Sequence, residues 1–163
     1  GPNILDQRHT FIGSIVAQPQ VDVEGVAGAI LNNNQFGVAL QFASGIPVNL
    51  RSNRELNNDA IASDRPVGVE RNSYRLPARY NVDFRYARLF PVAGNTKLEF
   101  LVEAKNIFNT EQWSGATSVV ATDAQGNPLV ALPSPGAVVD DAVFSPSGGY
   151  EQRQVQLGFR VTF

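Results

Sequence analysis

YEQRQVQLGFRVTF, residues Tyr150 to Phe163, is the stretch whose reading decides the fold. From Gln154 it alternates without a break. Val155, Leu157, Phe159, Val161 and Phe163 share one parity; Gln154, Gln156, Gly158, Arg160 and Thr162 share the other. Successive strand residues point to opposite faces, so the stretch predicts a β-strand with one apolar and one polar face. It stops on an aromatic, where soluble chains usually fray through polar residues. A strand apolar outward and polar inward is what a membrane β-barrel requires.

Working outward, the same period recurs. Gln35–Ser44 puts Phe36, Val38, Leu40 and Phe42 on one side and Gln35, Gly37, Ala39 and Gln41 on the other. Arg79–Phe90 sets Tyr80, Val82, Phe84, Tyr86 and Phe90 against Arg79, Asn81, Asp83 and Arg85. After the short turn at Pro91–Thr96, Lys97–Lys105 sets Leu98, Phe100, Val102 and Ala104 against Lys97, Glu99, Leu101, Glu103 and Lys105. The polar faces of this hairpin carry opposite charges, an arrangement that stabilises cross-strand pairs. Thr10 to about Gln18 predicts another strand, apolar on both faces and ended by Pro19. Val21–Leu31 predicts a further strand, weakened by Gly25 and Gly28 and hairpinned to Gln35–Ser44 through the turn signal Asn32-Asn33-Asn34. Thr117–Ala131 reads as a small hairpin around Asp123–Pro128.

Two stretches lack period. Val48–Pro77 is long and polar, and Gly115–Gly149 is rich in Pro and Gly, so both predict long loops, which are usually functional or disordered. The fold expected is therefore all-β: an antiparallel meander of about 6–8 strands in one domain, residues 1–163, part of a β-barrel or closing into one. Period two says which residues share a face and not which face is wet.

The chain has 163 residues, net charge −2, and neither Cys nor Met. Disulfides and thiolate metal sites are excluded. Opening on Gly1-Pro2 without an initiator Met, it reads as an excised or processed product with no signal peptide. No apolar run approaches the roughly 20 residues of a membrane-spanning helix, which leaves a barrel open.

Three local motifs and the last strand carry a family resemblance. Gln156, Gly158, Val161 and Phe163 fit the pattern polar-x-Gly-x-x-apolar-x-aromatic, which is similar to the C-terminal assembly signal of bacterial outer-membrane barrels. EAKNIFNT, Glu103–Thr110, resembles the N-L-F-N stretch before the last strands of TonB-dependent receptors, with Ile107 in place of Leu. DQRHTF, Asp6–Phe11, resembles the Oar-like members, as does the Ser44-Gly45-Ile46-Pro47 turn. The Gly/Ala/Asn-rich Val21–Asn34 departs from the aromatic-rich turn expected there. Such a receptor has about 22 strands, a plug and a coupling box, so the chain resembles only its C-terminal barrel segment. The resemblance implies uptake of a bulky nutrient across the bacterial outer membrane. Gln156, Gly158, Val161 and Phe163 would then dock the barrel-assembly machinery, and Arg79, Asp83, Arg85, Glu99 and Glu103 would line the lumen. Both long loops would face outside. The partners implied are the outer membrane, that machinery, and the rest of the barrel or a second copy.

Other chemistries find little footing. The single histidine, His9, makes a Ser-His-Asp ester hydrolase from His9, Ser14 and Asp6 the alternative function. On one strand, however, His9 and Ser14 would have opposite parity and lie roughly 16 Å apart, so Ser44, Ser73 or Ser114 would have to approach instead. No G-x-S-x-G elbow, phosphate cradle, zinc spacing or dinucleotide fingerprint is present, and no cofactor is implied. Glu55, Asp59 and Asp64 have the oxygens for calcium but match no EF-hand spacing, and read as solvated carboxylates. Asp140-Asp141 sits in a loop with no apolar surround to make a glycosidase pair. Arg79 and Arg85 oppose the aromatics and share their face with acids, which argues against nucleic acid. Trp113 suits an interfacial aromatic belt or a partly buried core equally.

Overall fold

The computed structural model describes residues 2–61, 64–140 and 144–163. In chain order the elements are β1 (Thr10–Ala17), α1 (Gly25–Leu31), β2 (Asn34–Ala43), β3 (Pro47–Val48), β4 (Arg51–Ser52), β5 (Tyr74–Arg75) and β6 (Arg79–Ala93). β7 (Thr96–Lys105), β8 (Trp113–Ala116), β9 (Val119–Val120), β10 (Pro146–Gly149) and β11 (Gln154–Thr162) follow. The all-β expectation holds. The contacts resolve two compact units where the sequence reads as one domain. One comprises residues 11–42, 80–110 and 151–163; the other comprises 1–10, 43–79 and 111–150.

The first unit is a five-stranded antiparallel meander, β1-β2-β6-β7-β11. Its strands are the periodic runs, displaced by a residue or two at their ends, except that β6 continues to Ala93 and narrows the expected Pro91–Thr96 turn to Gly94-Asn95. The β7–β11 register is unbroken from Gln154↔Lys105 to Thr162↔Lys97, and β6 pairs with β7 from Phe84↔Ala104 to Phe90↔Leu98. Opposed residues share a face, so the rows Phe84/Ala104/Val155, Tyr86/Val102/Leu157 and Phe90/Leu98/Val161 build one apolar side. Phe36–Tyr86 and Phe100–Phe159 rings meet across it with centroids 5.2 Å apart. No pairing joins β1 to β11 among the described residues, so the sheet is open.

The strand expected over Val21–Leu31 is instead the helix α1, and β2 pairs with β1 and β6 rather than with that segment. Its seven residues include no charge, and the caps come from afar. Arg88 Nη2 donates to Ala29 O at 2.6 Å and Nη1 to Ile30 O at 3.0 Å, while Asn34 Nδ2 donates to the carbonyls of Ile30, Leu31 and Asn32. These satisfy the carbonyls a helix leaves unpaired at its C-terminus. Asn32 closes the approach by bonding both N–H and C=O of Val21. Gly28 is required, since a Cβ there would lie 1.8 Å from Val23 O.

The second unit is built from the two stretches expected to be loops, and it contains the buried core. Val48, Leu50, Tyr74, Leu76, Val120, Val139 and Phe144 form one cluster, with Trp113 and Leu132 packed against it. Leu50 is fully buried and Phe144 is 1 % exposed. The backbone is pinned by short pairs: β3 with β5 antiparallel, β4 with β9 parallel, β8 with β10 antiparallel. Ser52 and Thr122 hydroxyls meet at 2.7 Å, and Asn53 Oδ1 accepts from Thr122 N at 3.0 Å. The expected small hairpin keeps only its tip, where Asp123 accepts hydrogen bonds from Asn127 and Gln125 that hold its carboxyl below the usual range.

Candidate functional site

The polar side of the sheet carries four of the five residues expected to line a lumen. Arg85 stands directly opposite Glu103, with Nε 3.6 Å from Oε1. Glu99 faces Arg160 at 3.2 Å. Both pairs are partly exposed, and such pairs stabilise by about 1 kcal/mol or less. Asp83 accepts from Asn81 Nδ2 at 2.7 Å and from Asn106 N at 2.9 Å. Around them a groove of about 300 Å³ is bounded by Ser14, Gly37, Asp83, Arg85, Glu103 and Lys105. Gly37 brings the β2 backbone close, where an added Cβ would meet Arg85 Cβ at 3.5 Å. Arg79, the fifth residue, belongs to the other unit, where its guanidinium stacks 4.1 Å above the Tyr150 ring beside Trp113. Trp113 thus borders the core cluster of that unit.

The apolar side is bare along β11 and mostly half-buried along β6 and β7. Val155, Leu157, Phe159 and Val161 are each more than half exposed, Phe159 at 72 %. With full side-chain areas of roughly 150–200 Å², β11 alone shows about 400 Å² of apolar surface, already the size of the largest patch on an ordinary monomer. Of the candidate assembly-signal residues, Gln156 and Gly158 lie on the polar face and Val161 on the apolar one; Phe163, just beyond β11, is 93 % exposed.

The hydrolase candidates have other partners. Arg75 Nη2 donates to the Asp6 carboxylate, its Nη1 donates to Asp6 O and Gly45 O, and Arg8 lies 3.7 Å from the same carboxylate. His9 O accepts from Ser44 N at 2.9 Å, and Ser44 Oγ accepts from His9 N at 3.0 Å. Its imidazole has no hydrogen bond among the described residues. Ser14 lies in the sheet unit, on the groove. In the Glu55–Asp64 loop the carboxylates accept backbone N–H groups of Leu56, Asn57, Asp59 and Ile61. No group of three potential ligands is placed to hold a metal among the described residues. Asp140 accepts Phe144 N through its carbonyl, and its neighbour Asp141 lies outside the described residues.

The local motifs do structural work that their composition did not announce. DQRH docks on the Ser44-Gly45 turn, with Gln7 Nε2 donating to Ser44 O. Gly45 is obligatory, because a Cβ would lie 1.7 Å from Leu76 O. In NIFNT, Asn106 and Asn109 adopt φ of 47° and 51°. The Asn106 side chain donates to Thr110 O and Glu151 O and accepts from Thr110 N and Oγ1. Ile107 N donates to Val82 O, and Asn109 Oδ1 accepts from Arg153 N. The motif thus ties β6, β7 and the start of β11 together. Arg75, Arg88 and Asn106 are the residues that sequence reasoning passed over. Asn106 alone had a signal, its place in the motif.

Comparison with protein-family models, curated proteins and solved structures finds no match to this chain.

Proposed function

We propose that this chain supplies barrel strands of a TonB-dependent type of outer-membrane receptor that takes up a bulky nutrient. One observation carries the reading: an open antiparallel sheet whose apolar, aromatic face is exposed while its other face is charged. A lipid-facing strand needs the first and a water-filled lumen the second. In this reading Asp83, Arg85, Glu99 and Glu103 face the lumen. Gln156, Gly158, Val161 and Phe163 engage the assembly machinery, and the unit built from 43–79 and 111–150 is presented outside to meet ligand.

Size-exclusion chromatography with light scattering tests it. Without detergent, the chain is expected to form large oligomers that detergent resolves to single chains. A monodisperse monomer of 17.6 kDa in plain buffer overturns the reading. In cells, Phe163→Asp in a barrel carrying these strands is expected to strongly reduce its outer-membrane level, measured by surface labelling; unchanged labelling removes Phe163 from assembly.

A further inference from the structure

The apolar face of the sheet carries one charge. Arg88 stands opposite Phe100 in the row that continues to Phe159, so its side chain leaves on the apolar side. It packs 5.1 Å from the Phe90 ring. Its Nη1 and Nη2 reach the carbonyls of Ala29 and Ile30 and, at 3.4 Å, Asn34 Oδ1, all neutral acceptors. Its Nε is buried without a partner, and no carboxylate lies within ion-pair distance among the described residues. The guanidinium is half-buried, and a buried Nε without a partner, on a cation without a counter-charge, carries a cost. Beside it opens a groove of about 460 Å³, walled by Ile30 and Leu31 of α1 and by Phe36 and Tyr86 of the sheet. That volume lies in the range of small-molecule sites. The walls are apolar and the one unneutralised group is cationic, so the complementary occupant is an anionic amphiphile.

Topology says which one. The chain turns at α1 and at Gly94 at one end of the sheet, and leaves for its two long excursions at the other. The groove belongs to the short-turn end, which is the inward-facing end of an outer-membrane barrel. We propose that this groove binds one anionic phospholipid, with its phosphate on Arg88 and an acyl chain along Ile30, Leu31 and Phe36. The cationic groove stands on geometry alone; the choice of a bilayer phospholipid rests on the receptor reading.

Native mass spectrometry of the full chain, released from detergent after incubation with phosphatidylglycerol or phosphatidylcholine of identical chains, tests this. A single phosphatidylglycerol adduct is expected, retained about tenfold over phosphatidylcholine, a difference of about 1.4 kcal/mol. Arg88→Gln should abolish the preference and Arg88→Lys should keep part of it. Because Arg88 also caps α1, Ile30→Trp provides an independent variant: it fills the groove while leaving Arg88 and its backbone carbonyl partners in place, and should lose the adduct while keeping the wild-type circular dichroism spectrum. Equal retention of the two lipids by wild type, an adduct that survives Ile30→Trp, or displacement by millimolar inorganic phosphate overturns the proposal. Detergent dependence separates the two ideas. A chain monodisperse in plain buffer that still selects phosphatidylglycerol retains the groove and loses the receptor; a detergent-dependent chain without selectivity does the reverse.

Discussion

Phe144→Ala is expected to destabilise the unit formed by residues 43–79 and 111–150 by about 4 kcal/mol. The side chain is 1 % exposed and packs against Tyr74 with ring centroids 5.5 Å apart, inside a cluster that includes Leu50 and Val139. Truncating a buried Phe removes its transfer energy and leaves a cavity, together about 3–5 kcal/mol. Domains are stable by only about 5–15 kcal/mol, so this is a large share of the total. Trp113 packs against the same cluster and is the chain's one tryptophan, so its fluorescence follows the loss in a urea titration. The informative control is Phe159→Ala. That ring is 72 % exposed and touches Phe100, so in detergent it should cost under about 1.5 kcal/mol. Equal losses from the two variants would contradict the assignment of the core to the stretches between strands.

Asn106→Leu is expected to loosen the sheet by a similar amount. Asn106 is 3 % exposed. Its amide serves Thr110 N, Thr110 Oγ1, Thr110 O and Glu151 O, all within 3.3 Å. Leu keeps the volume and supplies none of these bonds, and each buried polar group that loses its partner costs about 1–3 kcal/mol. The backbone adds to this, since φ is 47° and a branched apolar residue in that left-handed region costs about 1 kcal/mol more than Asn. The summed loss is about 4 kcal/mol. It is read as the shift in the circular dichroism melting curve of the chain in detergent. Asn106→Asp, which keeps the acceptor oxygen for Thr110, should lose about half as much; a loss equal to that of Leu would mean that the Nδ2 donor bonds to Thr110 O and Glu151 O, rather than the acceptor, carry the effect.

These two positions also mark what a reader of the sequence can and cannot see. β2, β6, β7 and β11 are legible because each is long enough for period two to repeat several times, and Phe36, Phe84, Phe100 and Phe159 fall on one face as the period requires. The core of the other unit is illegible for the opposite reason. Its apolar residues come in pairs, Val48 with Leu50 and Tyr74 with Leu76, and two residues establish no period. Val120, Val139 and Phe144 join them only through pairings such as Arg51↔Val119, across 68 positions of chain. α1 escaped because a short run of Val, Ala, Ile and Leu with two glycines fits strand and helix alike, and the groups that settle it, Arg88 and Asn34, lie outside the run. The same holds for Asp6. As a bare Asp-x-x-His it invites a catalytic reading, and the guanidinium that claims it comes from position 75.

The strand order has a further consequence, one of parity. Five strands that alternate in direction leave β1 and β11 pointing the same way. Rolling the sheet up would therefore create a parallel seam, with its slanted and slightly weaker bonding, in a fold whose other neighbours oppose. An all-antiparallel barrel contains an even number of strands, about eight at the least. Whatever completes this sheet must then bring an odd number, about three or more. Two copies of the chain also give an even sum, but only if related by a two-fold axis that sets β1 against β1 and β11 against β11. In the register centred on β11, Gly158 would stand opposite itself, Leu157 opposite Phe159 and Val155 opposite Val161, so apolar would still meet apolar across the seam.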